Sequence, residues 1–161
     1  MSCILHITGV RFDVDAFVAQ SKVRPYKIFY KGEARFKTKP DGAKLEHSGL
    51  SIEVSKADMD DAKGQIKDAI NFLSRNRKKL DYISKIKGVQ HAILDFGIVR
   101  KVDGDKHLME SHLLPNRLLQ LAGEVGLSIE LTFYAENMQT VLEQRSRESD
   151  VQIGGNPKRS R

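Results

Sequence analysis

Apolar residues along this chain recur with two different periods, and the switches between them mark out its elements. Cys3, Leu5 and Ile7 alternate with Ile4, His6 and Thr8, and both sets are largely apolar, as in a strand buried in the middle of a sheet. Leu50, Ile52 and Val54 alternate with Ser51, Glu53 and Ser55, the pattern of a strand with one wet face. Residues 89–99 (VQHAILDFGIV) predict a further strand with Gly97 as a bulge. Leu127 to Tyr134 predicts a last one, with Leu127, Ile129, Leu131 and Phe133 on one face.

Between these stretches the period lengthens. Asp13 is placed to cap a short helix holding Ala16, Phe17 and Val18, which Pro25 ends. The longest helix is expected to start from Ser55 or Asp58, with Asp60 and Asp61 in its first turn, where the helix dipole favours acids. Ile66, Ala69, Ile70 and Leu73 form its apolar stripe. Leu80, Ile83 and Ile86 repeat the stripe more weakly, so the helix continues or breaks near Asn76, and Gly88 closes the run. Pro115 suits the first position of a compact helix carrying Leu118, Leu119, Leu121 and Ala122, stopped at Gly126.

Two short basic, aromatic segments, YKIFYKG and EARFKT, flank Gly32 and precede Pro40-Asp41-Gly42; they predict a hairpin or an irregular pair of edge strands. Asp103-Gly104 predicts a turn. The order β-α-β-β-β-α-β-α-β favours an α+β fold: a mainly antiparallel sheet with helices packed on one face, built from split β-α-β-like elements. Residues 1–134 are expected to form a single α+β domain. Beyond it, residues 135–161 read as a short helix or coil around Met138, Val141 and Leu142 and a disordered basic tail ending GGNPKRSR.

Composition adds a compartment. The chain has 161 residues, enough for one domain that buries roughly 70% of its unfolded surface. Cys3 is the only cysteine, which rules out an intrachain disulfide and suits a reducing environment. The opening MSCILHITG has no basic flank, and its apolar run is broken by His6 and Thr8, against a signal peptide. No stretch approaches the ~18 apolar residues of a membrane helix. The expectation is a cytoplasmic protein with no membrane partner.

Charge adds a direction. The net charge of +6 is unevenly spread. Residues 22–44 carry eight Lys and Arg against Glu33 and Asp41, and residues 75–87 carry six against Asp81. In the first stretch Tyr26, Phe29, Tyr30 and Phe36 interleave with Lys27, Lys31, Arg35 and Lys37. Rings plus cations can stack and neutralise single-stranded nucleic acid. The same residues can meet an acidic protein, or simply form a charged edge whose lysines block aggregation. The candidate contact residues are Tyr26, Lys27, Tyr30, Lys31, Arg35 and Lys37, joined by Arg77, Lys78 and Lys79 if the two stretches converge.

Catalytic motifs are scarce. There is no G-x-S-x-G elbow, no Walker loop and no G-x-G-x-x-G. His107, Glu110 and His112 lie close in sequence, but their spacing fits no common metal site and reads as a solvated loop. No cofactor or metal is expected. Cys3, in the opening strand, reads as a small buried hydrophobe rather than a nucleophile. His91 and Asp95 share a strand face; were the first strand a neighbour, His6 would join them in a group able to do acid–base work.

Two longer segments carry a resemblance: LHITGVRFDVDAFVAQSKVRPYKIFYKGE at residues 5–33, and LLPNRLLQLAGEVGLSIELTFY at residues 113–134. Together they resemble a family of small bacterial cytosolic domains of unknown function, some of them linked to toxin–immunity cassettes. The resemblance spans about residues 3–134 and transfers no functional residue. It implies a non-enzymatic binding protein, an immunity-type inhibitor of a protein partner. The alternatives from the residues themselves are a nucleic-acid-binding module using the basic aromatic hairpin and, third, an enzyme with a His/Asp site.

Overall fold

The computed structural model describes residues 2–100 and 109–135. The expected turn at Asp103-Gly104, the expected helix or coil after residue 134 and the basic tail all fall outside the described residues, apart from Ala135. By contact density the chain divides into two units. The larger comprises Met1–Ile98 and Ser111–Thr132, the smaller Val99–Glu110 and Phe133–Arg161. In the smaller one the Arg100 guanidinium lies over the Phe133 ring, 5.8 Å from its centroid.

The fold is α+β, a mainly antiparallel five-stranded sheet in the order β2-β3-β1-β4-β5. β1 (Cys3–Gly9) is its middle strand, and α1 (Val14–Ser21) follows it. The edge strand β2 (Lys27–Phe29) and then β3 (Ser48–Ser55) precede α2 (Ala62–Leu80) and the single turn α3 (Tyr82–Lys85). β4 (His91–Arg100), α4 (Asn116–Glu124) and β5 (Ser128–Ala135) complete the order. β1 pairs antiparallel with both β3 and β4, and β2 pairs antiparallel with β3.

The register sorts side chains by face. On one face Leu5 lies between Ile52 and Leu94, and Ile7 between Leu50 and Ala92. Leu5, Ile7, Leu50 and Leu94 are all 0% exposed, because α2 and α1 pack over this side of β3 and α4 packs on α2. Phe12 and Phe17 close the core with an edge-to-face contact at 5.6 Å, a geometry that suits the ring quadrupoles. The opposite face carries Ile4, His6 and Thr8, all half-buried. At the end of β1 the backbones crowd: a Cβ on Gly9 would lie 1.8 Å from the Gly88 carbonyl oxygen, and Gly88 itself has φ +92°. Only glycine fits both demands.

Local signals mostly landed where expected. Asp13 caps α1, its Oδ1 accepting from the Ala16 N–H at 2.9 Å. Three expectations are corrected. The cap of α2 is Asp61, whose Oδ1 accepts from Gly64 N–H at 2.9 Å, so neither Ser55 nor Asp58 caps it and its first turn holds no acid. Ser55 instead donates its hydroxyl to Asp68, and the Asp58 carbonyl accepts from Gln65. The buried face of α2 runs through Ala62, Gln65, Ala69, Leu73 and Leu80, with Ile66 and Ile70 flanking it half-buried. Finally, YKIFY does not pair with EARFKT. It supplies β2, paired to β3, while residues 32–35 bond back to residues 43–45 through Gly32–Leu45, Leu45–Glu33 and Arg35–Ala43 hydrogen bonds around the Ala34–Lys44 bridge.

The cap assignment is directly testable. Asp61→Ala is expected to lower stability by about 1 kcal/mol in urea unfolding, the usual cost of losing an N-cap. Asp58→Ala, whose exposed carboxylate takes no part in the cap, is expected to stay within about 0.5 kcal/mol of wild type.

Candidate interaction surface

β2 lies at the edge of the sheet, so its alternation sends neighbouring side chains to opposite faces. Lys27 is paired with Ser51 and Phe29 with Gly49, on the face of His6 and Thr8. Phe29 lies over Gly49, packs edge-on to His47 at 6.4 Å and sits beneath the Lys27 ammonium at 6.0 Å. Ile28, paired with Leu50, points to the helical side and stays 38% exposed. Tyr30 is tethered there, its hydroxyl donating to Asp15 of α1 at 2.8 Å. That bond, reinforced by the Asp15 charge, raises the phenol's pKa above its ordinary value.

The remaining edge residues stand free of the core. Tyr26 is 45%, Tyr30 39% and Phe36 59% exposed. The Arg35 guanidinium lies 5.9 Å from the Phe36 ring centroid. Lys31 and Lys37 are exposed alongside them. The aromatic, basic segment predicted from the sequence is thus a surface feature, and its rings are divided between the two faces of the edge.

The second basic stretch forms the end of α2, where cations complement the helix dipole, and its consecutive residues fan out. Arg77 turns to α4 and pairs with Glu124 at 3.3 Å. Lys78 is exposed. Lys79 lines a groove with Lys22 and Arg24. The two basic stretches therefore meet through Lys79 and the start of the first stretch, rather than at residues 26–37. Lys22 and Arg24 stand three residues and one residue before Pro25, a context that gives no sign of their facing a helix end.

The half-buried face of the sheet brings together the other group. β1 and β4 are neighbours, with Thr8 opposite His91, His6 opposite Ile93 and Ile4 opposite Asp95, so His6, His91 and Asp95 share a face. Their hydrogen bonds lead elsewhere. His6 Nδ1 is 2.9 Å from the Ser51 hydroxyl, and Asp95 accepts from Thr132 at 2.7 Å. Ser51 is only 3% exposed, which closes it to a substrate. Neither Ser51 nor Thr132 was legible as a partner, since both depend on strand pairing across the sheet.

Cys3, in the covered face of β1, is 0% exposed. Burial, seconded by the charges of Asp95 and Asp68, pushes its thiol far up from the ordinary range, so it stays protonated and unreactive. His107 lies outside the described residues. Among the described residues, no group of three or more His, Cys, Asp or Glu could hold a metal ion. No helix among them is long and apolar enough to cross a membrane.

Burial also lowers the pKa of His6, against the pull of Asp95 and Glu130 and with the help of Lys27. The unfolded chain takes up this proton first, near pH 6.5. The stabilising neutral form is therefore fully effective above that value, and its contribution is lost as pH falls through the lower folded pKa. Lowering the pH from about 7 to about 5 is expected to depress the thermal midpoint of wild type more than that of His6→Gln, as differential scanning fluorimetry would record.

Comparison with curated proteins and with solved structures found no match. Comparison with family models found one, described as a domain of unknown function (DUF4279), over residues 1–136. That match takes in every described element, from the middle strand to the exposed edge and the last strand. The chain belongs to the DUF4279 family.

Proposed function

We propose that this chain is a non-enzymatic binding protein that docks on an acidic surface of a protein partner and inhibits it, as an immunity protein does. The observation that carries the reading is the sheet edge. Tyr26, Ile28, Tyr30 and Phe36 are 38–59% exposed, interleaved with Lys27, Lys31, Arg35 and Lys37. Tyr, Phe and Arg are the residues that protein interfaces favour. Cations at the rim accelerate encounter with an acidic partner and discriminate against wrong ones. Inhibition of a toxin in the bacterial cytoplasm, where a lone buried thiol such as Cys3 stays reduced, fits the resemblance to domains of toxin–immunity cassettes.

The division of the rings favours protein over nucleic acid. A single-strand binder presents its aromatic rings as one platform along a basic groove. Here Phe29 packs against Gly49 and His47 on one face, and Tyr30 is tethered to Asp15 on the other. Catalysis by His6, His91 and Asp95 is the least supported reading, because the hydrogen bonds of His6 and Asp95 go to Ser51 and Thr132.

A photo-crosslinker at Phe36, introduced in the native host, should join the chain to one acidic protein that arrests growth when expressed without it. With that protein purified, Lys31→Glu with Arg35→Glu is expected to weaken binding about tenfold or more, mainly through slower association. Crosslinks to RNA alone, or steeply salt-dependent binding of an oligonucleotide with no protein captured, would sink the proposal.

A further inference from the structure

The groove that receives Lys79 has a construction of its own. It measures about 460 Å³ and is lined by Lys22, Val23, Arg24, Ile52, Glu53, Phe72, Asn76 and Lys79, a volume in the range of sites that take drug-sized ligands. Val23 and Ile52 are buried and Phe72 half-buried, so the floor is apolar. Three cations stand around it, and among the described residues none has a carboxylate within ion-pairing distance. Glu53 borders the groove, but the register sends its side chain to the opposite face with Ile4, and its carboxylate pairs with Lys56 at 3.8 Å. The groove opens beside Ser51, where the edge strand stops: Tyr26 N–H still bonds the Ser51 carbonyl, and the chain before it turns away as Lys22 to Arg24.

Two details set these cations apart from an ordinary solvated surface. A cation near the end of α2 is explained by the helix dipole alone, but Arg24 lies beyond the last turn of α1. Lys22 caps α1 with φ 57° and ψ 25°. It is the only non-glycine with positive φ among the described residues, at a position where glycine is the usual occupant. A side chain other than glycine is held there at some conformational cost, and it lines the groove.

We propose that this groove seats an acidic segment of the protein partner, one with carboxylates on either side of an apolar side chain. The apolar residue covers Val23, Ile52 and Phe72, while the carboxylates reach Lys22, Arg24 and Lys79. Phosphate chains are a poorer fit. Between its cations the groove has an apolar floor of Val23, Ile52 and Phe72, which an apolar side chain covers and a phosphate chain has no group to fill. The assignment rests on the protein-binding reading above and adds a second point of contact to the edge.

The probe is an acetylated, amidated peptide of alternating aspartate and leucine, titrated into the full chain and followed by amide NMR. Its shifts are expected at Val23, Arg24, Ile52, Glu53 and Asn76, and an asparagine counterpart should produce none. Lys22→Gly and Lys79→Gln are each expected to weaken binding about fivefold, in keeping with the loss of a charge-assisted contact. Lys22→Gly should do so without lowering the urea midpoint, since glycine takes this conformation freely, which separates loss of binding from loss of fold. Shifts confined to another surface, equal binding of the asparagine peptide, wild-type affinity in both variants, or displacement of the peptide by a thymidine oligonucleotide would each overturn the assignment. If the crosslinked partner loses affinity for Lys31→Glu with Arg35→Glu but not for the groove variants, the groove assignment fails and the protein-binding reading stands. If neither set of variants matters to it, both fail.

Discussion

β1 is hydrogen-bonded along both of its edges, and the rest of the larger unit is arranged around that double pairing. Leu5 and Ile7 meet Ile52 and Leu50 on one side and Leu94 and Ala92 on the other. The apolar rows so formed give α1 and α2 a surface to cover. The same register sends Ile4, His6 and Thr8 to the opposite face with Glu53, Ser51 and Gly49 on one side and Asp95, Ile93 and His91 on the other. A slip of one residue would exchange the two sets. The helices would then face His6, Ser51 and Asp95, and the burial of those polar groups without the partners they now have would be prohibitive.

How much of this was legible depended on the reach of each interaction. Signals that act within a few residues were plain: Asp13 as a cap, the alternation through Leu50 and Ile52, Gly126 past the end of α4 with φ 73°. Where several local solutions competed, sequence could not choose. Ser55, Asp58 and Asp61 can each cap a helix; Asp61 takes the cap, while the Ser55 hydroxyl is drawn to Asp68. The partner of the segment around Arg35 is hidden for a similar reason, since residues 43–45 look like loop until the chain folds back on them. At the candidate sites, the exposed aromatic edge could be read directly. The placing of Lys22 and Arg24 opposite Lys79 could not, because nothing local relates two stretches separated by two strands and most of a helix.

Charge in this protein follows the limits of the sheet. β2 is only three residues long, and the lysines and arginines lie on it, beyond it and at the helix end beside it. An edge strand offers unpaired backbone groups to any passing chain. Brevity and positive charge here oppose the pairing of that edge with a second copy of itself. The half-buried face follows another rule. Its polar groups are bonded in pairs, His6 with Ser51 and Asp95 with Thr132, and the pairs span four strands.

Gln65 illustrates how a polar atom can set the address of a helix. It is 0% exposed, in the buried stripe of α2, and donates from Nε2 to the Asp58 carbonyl at 3.1 Å and to the Gly97 carbonyl at 2.9 Å. Its Oε1 has no partner among the described residues, an imperfect bargain for a buried amide. Oily side chains alone would let α2 glide along the sheet, for leucine and isoleucine surfaces are nearly interchangeable. The forked amide works as a latch: it engages β4 at one carbonyl and the approach to the helix at another, so that α2 comes to rest at a single setting. A leucine in its place would pack there without that preference for one setting over its neighbours.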